Sequence, residues 1–394
     1  MHYRDYIRAT GINILFSFCI YVYYPILAPY IKNIGLDDFQ TGLVFAIVPL
    51  AMIFSSPIMG KLADEIGRNR VIIIGFMIEI VAMALYLVGG TWWIVTIARF
   101  LDAIALAGVS LVVLAKIEDA LTDKERGKYA GWSFSLTHIG AIVAPVIGGL
   151  IADRFFVKAP FIFAAFLLLA MAFYLAFRTR KTTKKVQKSD FNIVSALKNF
   201  ISIRPLKGIA VLGMVMHATT PAISVFLPLF IIEKLGLSYS YVGVALFFAG
   251  VVHVFQFHFG KLNDKHGREA MILLGCFIYG LFMFFLAFTQ TYWLLLIVLL
   301  LLGTGSAIWN VSAWTLMSDI GEKIKKEGEV VGSYMSIAKI GAFISFLFSG
   351  LIVQLYGVQI LFMTNAFLIA IGILIASVYF DREHEFSKKI GKTF

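Results

Sequence analysis

GKLADEIGRNR, residues 60–70, sets five charged side chains, Lys61, Asp64, Glu65, Arg68 and Arg70, directly between two long apolar runs. Two hundred residues later the chain repeats the phrase as GKLNDKHGRE, residues 260–269. A short charged turn between apolar stretches marks a chain leaving a non-aqueous medium and re-entering it. The duplication says that the whole arrangement occurs twice.

The 394 residues are 60% apolar and only 14% charged, a balance that fits the bilayer as solvent and not water. The net charge of +11 raises nucleic acid as a partner. That reading requires basic patches within ordinary polar surface, whereas here the charges sit in short clusters between apolar runs, so membrane topology accounts for them and no nucleic-acid partner is expected. Cys19 and Cys276 both fall inside apolar runs and read as small core residues without a disulfide.

A spanning helix needs about 20 mostly apolar residues, because the hydrocarbon core is about 30 Å thick and a helix rises about 1.5 Å per residue. Twelve such runs lie near 11–33, 40–61, 70–89, 92–117, 128–152, 158–178, 206–233, 240–261, 270–288, 291–317, 329–354 and 358–380. They are too long for barrel strands of about 10 residues and lack strand alternation, so the expected class is an all-α membrane protein. The first run contains Pro25 and Pro29, exceeds a signal-peptide core and lacks a small-residue cleavage site, so it is expected to remain as helix 1.

Lys and Arg set the orientation. With the N-terminus cytoplasmic, the cytoplasmic segments hold Lys61, Arg68, Arg70, Lys124, Arg126, Lys128, the cluster from Arg178 to Lys207, Lys261, Lys265, Arg268, Lys323, Lys325, Lys326 and the tail. The opposite loops hold only Lys32, Arg154, Lys158 and Lys234, so both termini are placed in the cytoplasm of a cell-membrane protein. RTRKTTKKVQKSD, residues 178–190, is the longest polar stretch. It divides the chain into a six-helix bundle at 1–178, a cytoplasmic linker at 179–204, and a second six-helix bundle with its cytoplasmic tail at 205–394.

The halves echo each other elsewhere. GLDDFQTGLVFA (35–46) matches GLSYSYVGVALF (236–247), and GKYAGWSFSLTHIG (127–140) matches GEVVGSYMSIAKIG (328–341), at an offset of 200 or 201 throughout. Parallel repetition of six-helix halves, with both charged turns on one face, is the layout of a rocking transporter with its site between the halves.

These residues resemble the major facilitator superfamily over essentially the full chain. Its loop signature matches at Gly60, Leu62, Asp64, Gly67 and Arg68, and again at Gly260, Leu262, Asp264, Gly267 and Arg268. In helix 5, Gly131, Gly140, Pro145, Gly148 and Gly149 keep the spacing that marks proton-coupled antiporters of this superfamily, especially drug exporters, with Ala144 in place of one glycine. Small residues there allow close helix approach and Pro145 removes a backbone donor; generic small-residue packing is the alternative reading.

The charged turns read as conformational latches. Gly60 and Gly260 permit tight packing, and Asp64 and Asp264 stand where each faces a helix N-terminus of the other half, a contact worth about 0.3 to 1 kcal/mol. The resemblance implies that Asp64 meets the start of helix 11 near Gly328 and Asp264 the start of helix 5 near Gly127. The plainer reading is that these are solvated loop charges.

Ionisable residues inside the membrane are functional candidates because their burial is costly. Arg99 and Asp102 lie about 10 and 15 Å from the outer end of helix 4, on one face at i, i+3 spacing. In the superfamily helices 1, 4, 7 and 10 line the cavity, and Arg99 falls on the arginine of its helix 4 motif. Asp102 stands where that motif is uncharged. It is read as the proton carrier with Arg99 as counter-ion, the alternative being a static pair. Glu79 on helix 3 is a second proton candidate or a structural partner of Arg99 or helix 2. His138 on helix 5 and Lys339 on helix 11 are equivalent in the repeat; His138 suits protonation, and Lys339 suits an anionic group or the proton site. His217 joins them, with Asn13 and Tyr24 on helix 1 and Trp309 and Asn310 on helix 10, as candidate substrate-cavity residues.

No Walker loop, no metal-ligand spacing and no nucleophile elbow occurs, so neither enzyme, cofactor nor metal is expected. The chain reads as a monomeric secondary transporter in the lipid bilayer, exporting a small amphipathic or hydrophobic compound in exchange for protons. Proton-coupled symport or facilitated movement of an organic anion or other metabolite is the alternative within transport. A transporter-like receptor or lipid flippase is the alternative outside it. Helix 1 has no membrane carboxylate, which weakens a cationic substrate.

Overall fold

The computed structural model describes residues 3–121, 123–178, 193–324 and 326–380, and every regular element among them is helical. Eleven of the described helices are long and apolar enough to cross a membrane. In chain order these are α1 (Tyr3–Asn33), α2 (Asp38–Ile66), α3 (Arg68–Val88), α4 (Trp92–Ile117), α5 (Asp123–Arg154), α6 (Ala159–Arg178), α7 (Arg204–Lys234), α9 (Arg268–Leu286), α10 (Tyr292–Lys323), α11 (Glu327–Tyr356) and α12 (Val358–Phe380). The twelfth, α8, is built from the apolar segment Tyr239–Phe255 continued by Gln256–His266.

These helices cover all twelve apolar runs. They overshoot them mainly at one face: α1 starts at Tyr3 and not near 11, and α10 continues to Lys323 and not 317. Hydropathy sees only the apolar middle of a helix, whereas backbone hydrogen bonding carries the helix on through a polar extension. Of the polar linker, residues 179–192 lie outside the described residues. Its remainder forms a short helix, Ile193–Ser202, whose Asn199 amide donates to Glu329 on α11 at 2.9 Å. The tail from 381 also lies outside the described residues.

Several spans are interrupted along their length. At Tyr23, just before Pro25, α1 breaks. Wider π-type turns occur at Ala107–Leu111 in α4 and at Ala222–Phe226 and Phe230–Lys234 in α7, and a 3₁₀ turn at Val251–Phe255 in α8. Such turns shift side-chain register and are frequent at functional sites.

The charged turns join α2 to α3 and α8 to α9 through Gly67 (φ 96°) and Gly267 (φ 84°), backbone conformations open to glycine and strained for other residues. We call the side bearing these turns the motif face and the opposite side the far face. Near the far face the first six helices close against the last six with backbone in contact. A Cβ on Gly149 of α5 would lie 2.3 Å from the Tyr239 carbonyl of α8, and one on Gly350 of α11 2.5 Å from the Asp38 carbonyl of α2. On the motif face the same test at Gly60, Gly260, Gly328 and Gly332 meets open space.

Candidate functional site

Helices α1, α3 and α4 bring the buried ionisable residues of the first six helices together. Arg99 pairs with Asp102 on the next turn of α4 at 2.8 Å, and the Tyr86 hydroxyl of α3 donates to the same Asp102 oxygen at 2.6 Å. Glu79, fully buried on α3, accepts from the Tyr23 hydroxyl of α1 at 3.0 Å. Its partner is therefore a tyrosine at the α1 break, where the sequence pointed to Arg99 or helix 2. Phe161 of α6 packs against both tyrosine rings. One oxygen each of Glu79 and Asp102, and Nε of Arg99, are buried without a hydrogen-bond partner. A buried cluster with spare donor and acceptor capacity is chemically able to take or release a proton, because leaving such groups unpaired is costly in either state.

Two adjoining cavities lie between the first six and the last six helices. The larger, about 380 Å³, is lined by His138, His217, His253, Trp309 and Asn310, with Tyr21 and Tyr24 from α1. The smaller, about 210 Å³, is lined by Arg99, Lys339, Phe45, Met52 and Phe346, and shares Tyr24, His217, Thr220 and Ser224 with the first. Arg99 is thus the member of the buried cluster that reaches the cavity, while Asp102 is only 1% exposed behind it. The guanidinium lies 4.6 Å over the Phe45 ring of α2, which stacks on Phe346 of α11 at 6.1 Å. Asn13 lies elsewhere: its amide donates to Thr137 at 3.0 Å in the α1–α5 contact, and it lines neither cavity.

The repeat places equivalent residues at equivalent contacts. The His138 ring of α5 faces that of His253 on α8, 6.0 Å away and within 5° of parallel. Adding the 201-residue offset to His138 gives Lys339, and subtracting it from His253 gives Met52. Lys339 of α11 indeed sits against Met52 of α2, with Nζ 3.1 Å from the sulfur. Each of the two interfaces between the first and last six helices thus carries a basic side chain at the cavity.

The helix 5 glycines divide between two neighbours. A Cβ on Gly148 would fall 1.5 Å from the Val22 carbonyl of α1, and Gly140 also abuts α1 through Ile14. Gly149 faces α8 instead, where Gly243 reciprocally approaches the Pro145 carbonyl. The Gly131 position belongs to the motif-face part of α5.

The two charged turns are less simple than latches. Arg68 pairs with Asp119 and the Ala115 carbonyl at the motif-face end of α4, and Arg268 pairs with Asp319 of α10. The arginines therefore brace helices within their own half. The Asp64 carboxylate is exposed and has no ion pair among the described residues, in place of the expected contact at the start of α11. The side chains of Asp264 and of residues around Gly127 lie outside the described residues. The physical reason is the state of the molecule: with the interface closed at the far face, the motif-face ends stand apart.

The far face holds contacts that sequence reading missed. Asp153 at the end of α5 accepts from the backbone N–H groups of Tyr239 at 3.1 Å and Ser240 at 2.8 Å, and from the Ser238 hydroxyl at 2.6 Å. It caps the N-terminus of α8 from the other half of the chain. The equivalent helix α2 caps itself, through a reciprocal Asp37–Gln40 box. Lys32 bridges Asp38 and, at 3.4 Å, Glu233 of α7. Asp119 and Asp319 were findable, since they are 200 residues apart like the turns they hold. Nothing in ADR or LSYS singles out Asp153, because its partner is remote.

Comparison with known proteins agrees with this geometry. The family model for the Major Facilitator Superfamily matches residues 9–320 and 244–393. An uncharacterised MFS-type transporter of Methanocaldococcus jannaschii is 28% identical over 357 residues, covering 89% of this chain and 92% of that protein. The quinolone resistance protein NorA of Staphylococcus aureus is 24% identical over 360 residues, 90% of this chain and 89% of that protein. Multidrug resistance protein 2 of Bacillus subtilis is 27% identical over 271 residues, 67% of each chain. The crystal structure of the nucleoside transporter NupG superposes with a TM-score of 0.79 over 96% of this chain at 13% identity, a likeness of fold alone.

Proposed function

The chain belongs to the Major Facilitator Superfamily, a membrane transporter and not an enzyme, and from that membership we propose that it exports small amphipathic or hydrophobic compounds in exchange for protons by alternating access. The observation that carries the proposal is the junction of the cavity with a buried, proton-competent cluster through Arg99. The drug-resistance names of two relatives support export.

In this reading Asp102 is the proton carrier, Arg99 its counter-ion, and Glu79 and His138 further proton acceptors. Protonation of Asp102 removes the charge that holds Arg99 across the pair. The guanidinium, which already lies over Phe45, is then released to move, and the Phe45–Phe346 stack carries that shift to α11 in the other half. A proton site and a substrate cavity that share one mobile cation compete, which is the requirement of exchange. Residues 1–178 and 205–394 move as two bundles joined by the 179–204 linker. The Lys and Arg asymmetry supports both termini in the cytoplasm and the cell membrane as location, and the chain works as a monomer.

The test is flux in proteoliposomes under an imposed pH gradient, with a panel of amphipathic compounds. Exchange predicts that substrate moves against the direction of the proton gradient, and that Asp102→Asn abolishes this drive. Movement with the protons establishes symport instead, and flux indifferent to the gradient a facilitator.

A further inference from the structure

Resting on the reading of these cavities as the transport site, we infer that the transported compounds are amphipathic anions, an aromatic or aliphatic body bearing a carboxylate or like acid that Lys339 receives. Among the described residues, no Asp or Glu lines either cavity. Apart from the phenols of Tyr21, Tyr24 and Tyr279, the ionisable side chains among the described lining residues are basic: Arg99, Lys339 and the three histidines. Arg99 is already matched by Asp102. Lys339 is not: among the described residues no carboxylate lies within ion-pair distance of its Nζ, which points at the Met52 sulfur.

A thioether is a weak acceptor and supplies no counter-charge, so an ammonium in this cavity is left electrostatically open. An anionic headgroup in the smaller cavity closes that deficit. The same fixed charge repels a cation, so the selection works in both directions. The surroundings fit the rest of such a molecule. Phe45, Val48, Met335, Ala342 and Phe346 wall the smaller cavity with apolar surface, and Thr220 and Ser224, which line both cavities, offer hydroxyls to a polar edge. The position matters as well. Lys339 and Met52 belong to different halves of the chain, so the headgroup binds at a seam whose two sides separate during transport.

The test uses equilibrium binding to the full-length protein in nanodiscs, with no proton gradient present. Tritiated 1-naphthoate is the probe, and 1-naphthamide and 1-naphthylmethylammonium compete for its site. Naphthoate is expected to bind at least about tenfold tighter than either isostere, as one charge-assisted contact provides. Lys339→Gln is expected to remove that preference, with a monodisperse size-exclusion peak showing that the variant is folded, and Lys339→Arg is expected to restore it. Equal affinity for the amide or the ammonium, or unchanged naphthoate binding in Lys339→Gln, overturns the inference. Because binding is read without a gradient, loss of proton coupling leaves this result standing. Proton-driven flux of a compound without an acidic group, in a protein showing no preference for naphthoate, sinks it alone.

Discussion

Two carboxylates sit in the same apolar layer of the first six helices, and their surroundings differ. Asp102 is held by a guanidinium and a phenol, whereas Glu79 is held by a phenol alone. The difference gives opposite expectations for amide substitutions. Asp102→Asn leaves Arg99 buried without its counter-charge, a loss of about 3 to 5 kcal/mol for breaking a buried pair. Glu79→Gln keeps the acceptor that Tyr23 needs and breaks no ion pair, so it is expected to leave stability within about 1 kcal/mol of wild type. Thermal unfolding of the two variants in the same detergent checks the contrast. A larger loss in Glu79→Gln would mean that a cation finds Glu79. The i, i+3 pair on α4 was legible in the sequence because both members lie on one helix. Tyr23 and Tyr86 were not, since which of the chain's 16 tyrosines turns inward is decided by packing between helices. Asn13 shows the same limit, being polar and on a cavity-lining helix yet rotated toward α5.

Among the elements, α5 is the most constrained, since it is clamped between α1 and α8. Gly148 lies at a backbone contact with no room for a methyl group, so Gly148→Leu is expected to push α1 off α5 and abolish folded protein, measured as loss of the monodisperse peak in size-exclusion chromatography. The spacing of the helix 5 motif was readable from sequence, and the structure supplies its cause. What the motif does not announce is the end of the same helix. Asp153 caps α8 across the closed far face, and the proposed alternating access requires this contact to break when that face opens. Loss of an N-cap costs about 1 kcal/mol, roughly fivefold in an equilibrium. Asp153→Ala is accordingly expected to raise the fraction open at the far face by that factor. Accessibility of a cysteine placed at Thr220 to a membrane-impermeant thiol reagent added from that side reads the change, and unchanged labelling would remove Asp153 from the switch.

The whole molecule repeats its contacts as well as its sequence. Arg68–Asp119 recurs as Arg268–Asp319, and Met52–Lys339 as His253–His138. Twelve spans and a repeat offset sufficed to read the architecture, because hydropathy over about 20 residues is a strong signal. The state of the machine was not readable, since one sequence encodes every state. Asp64 of the first charged turn makes no ion pair with the other half among the described residues, while an unremarked aspartate, Asp153, bridges the halves at the opposite face. The far face carries its closing contacts here, and the exchange proposed above requires that contacts on the two faces form in turn.

Distances across both faces test that requirement directly. Spin labels at Lys61→Cys and Lys326→Cys span the motif face, and labels at Asn33→Cys and Gln354→Cys the far face, each in a background where the buried Cys19 and Cys276 are replaced by serine. Double electron–electron resonance at acid and alkaline pH is expected to give opposed changes, one face shortening as the other lengthens, with Asp102→Asn fixing the distribution at both pH values. Distances that stay constant on both faces, or that lengthen together, would contradict alternating access coupled to the proton.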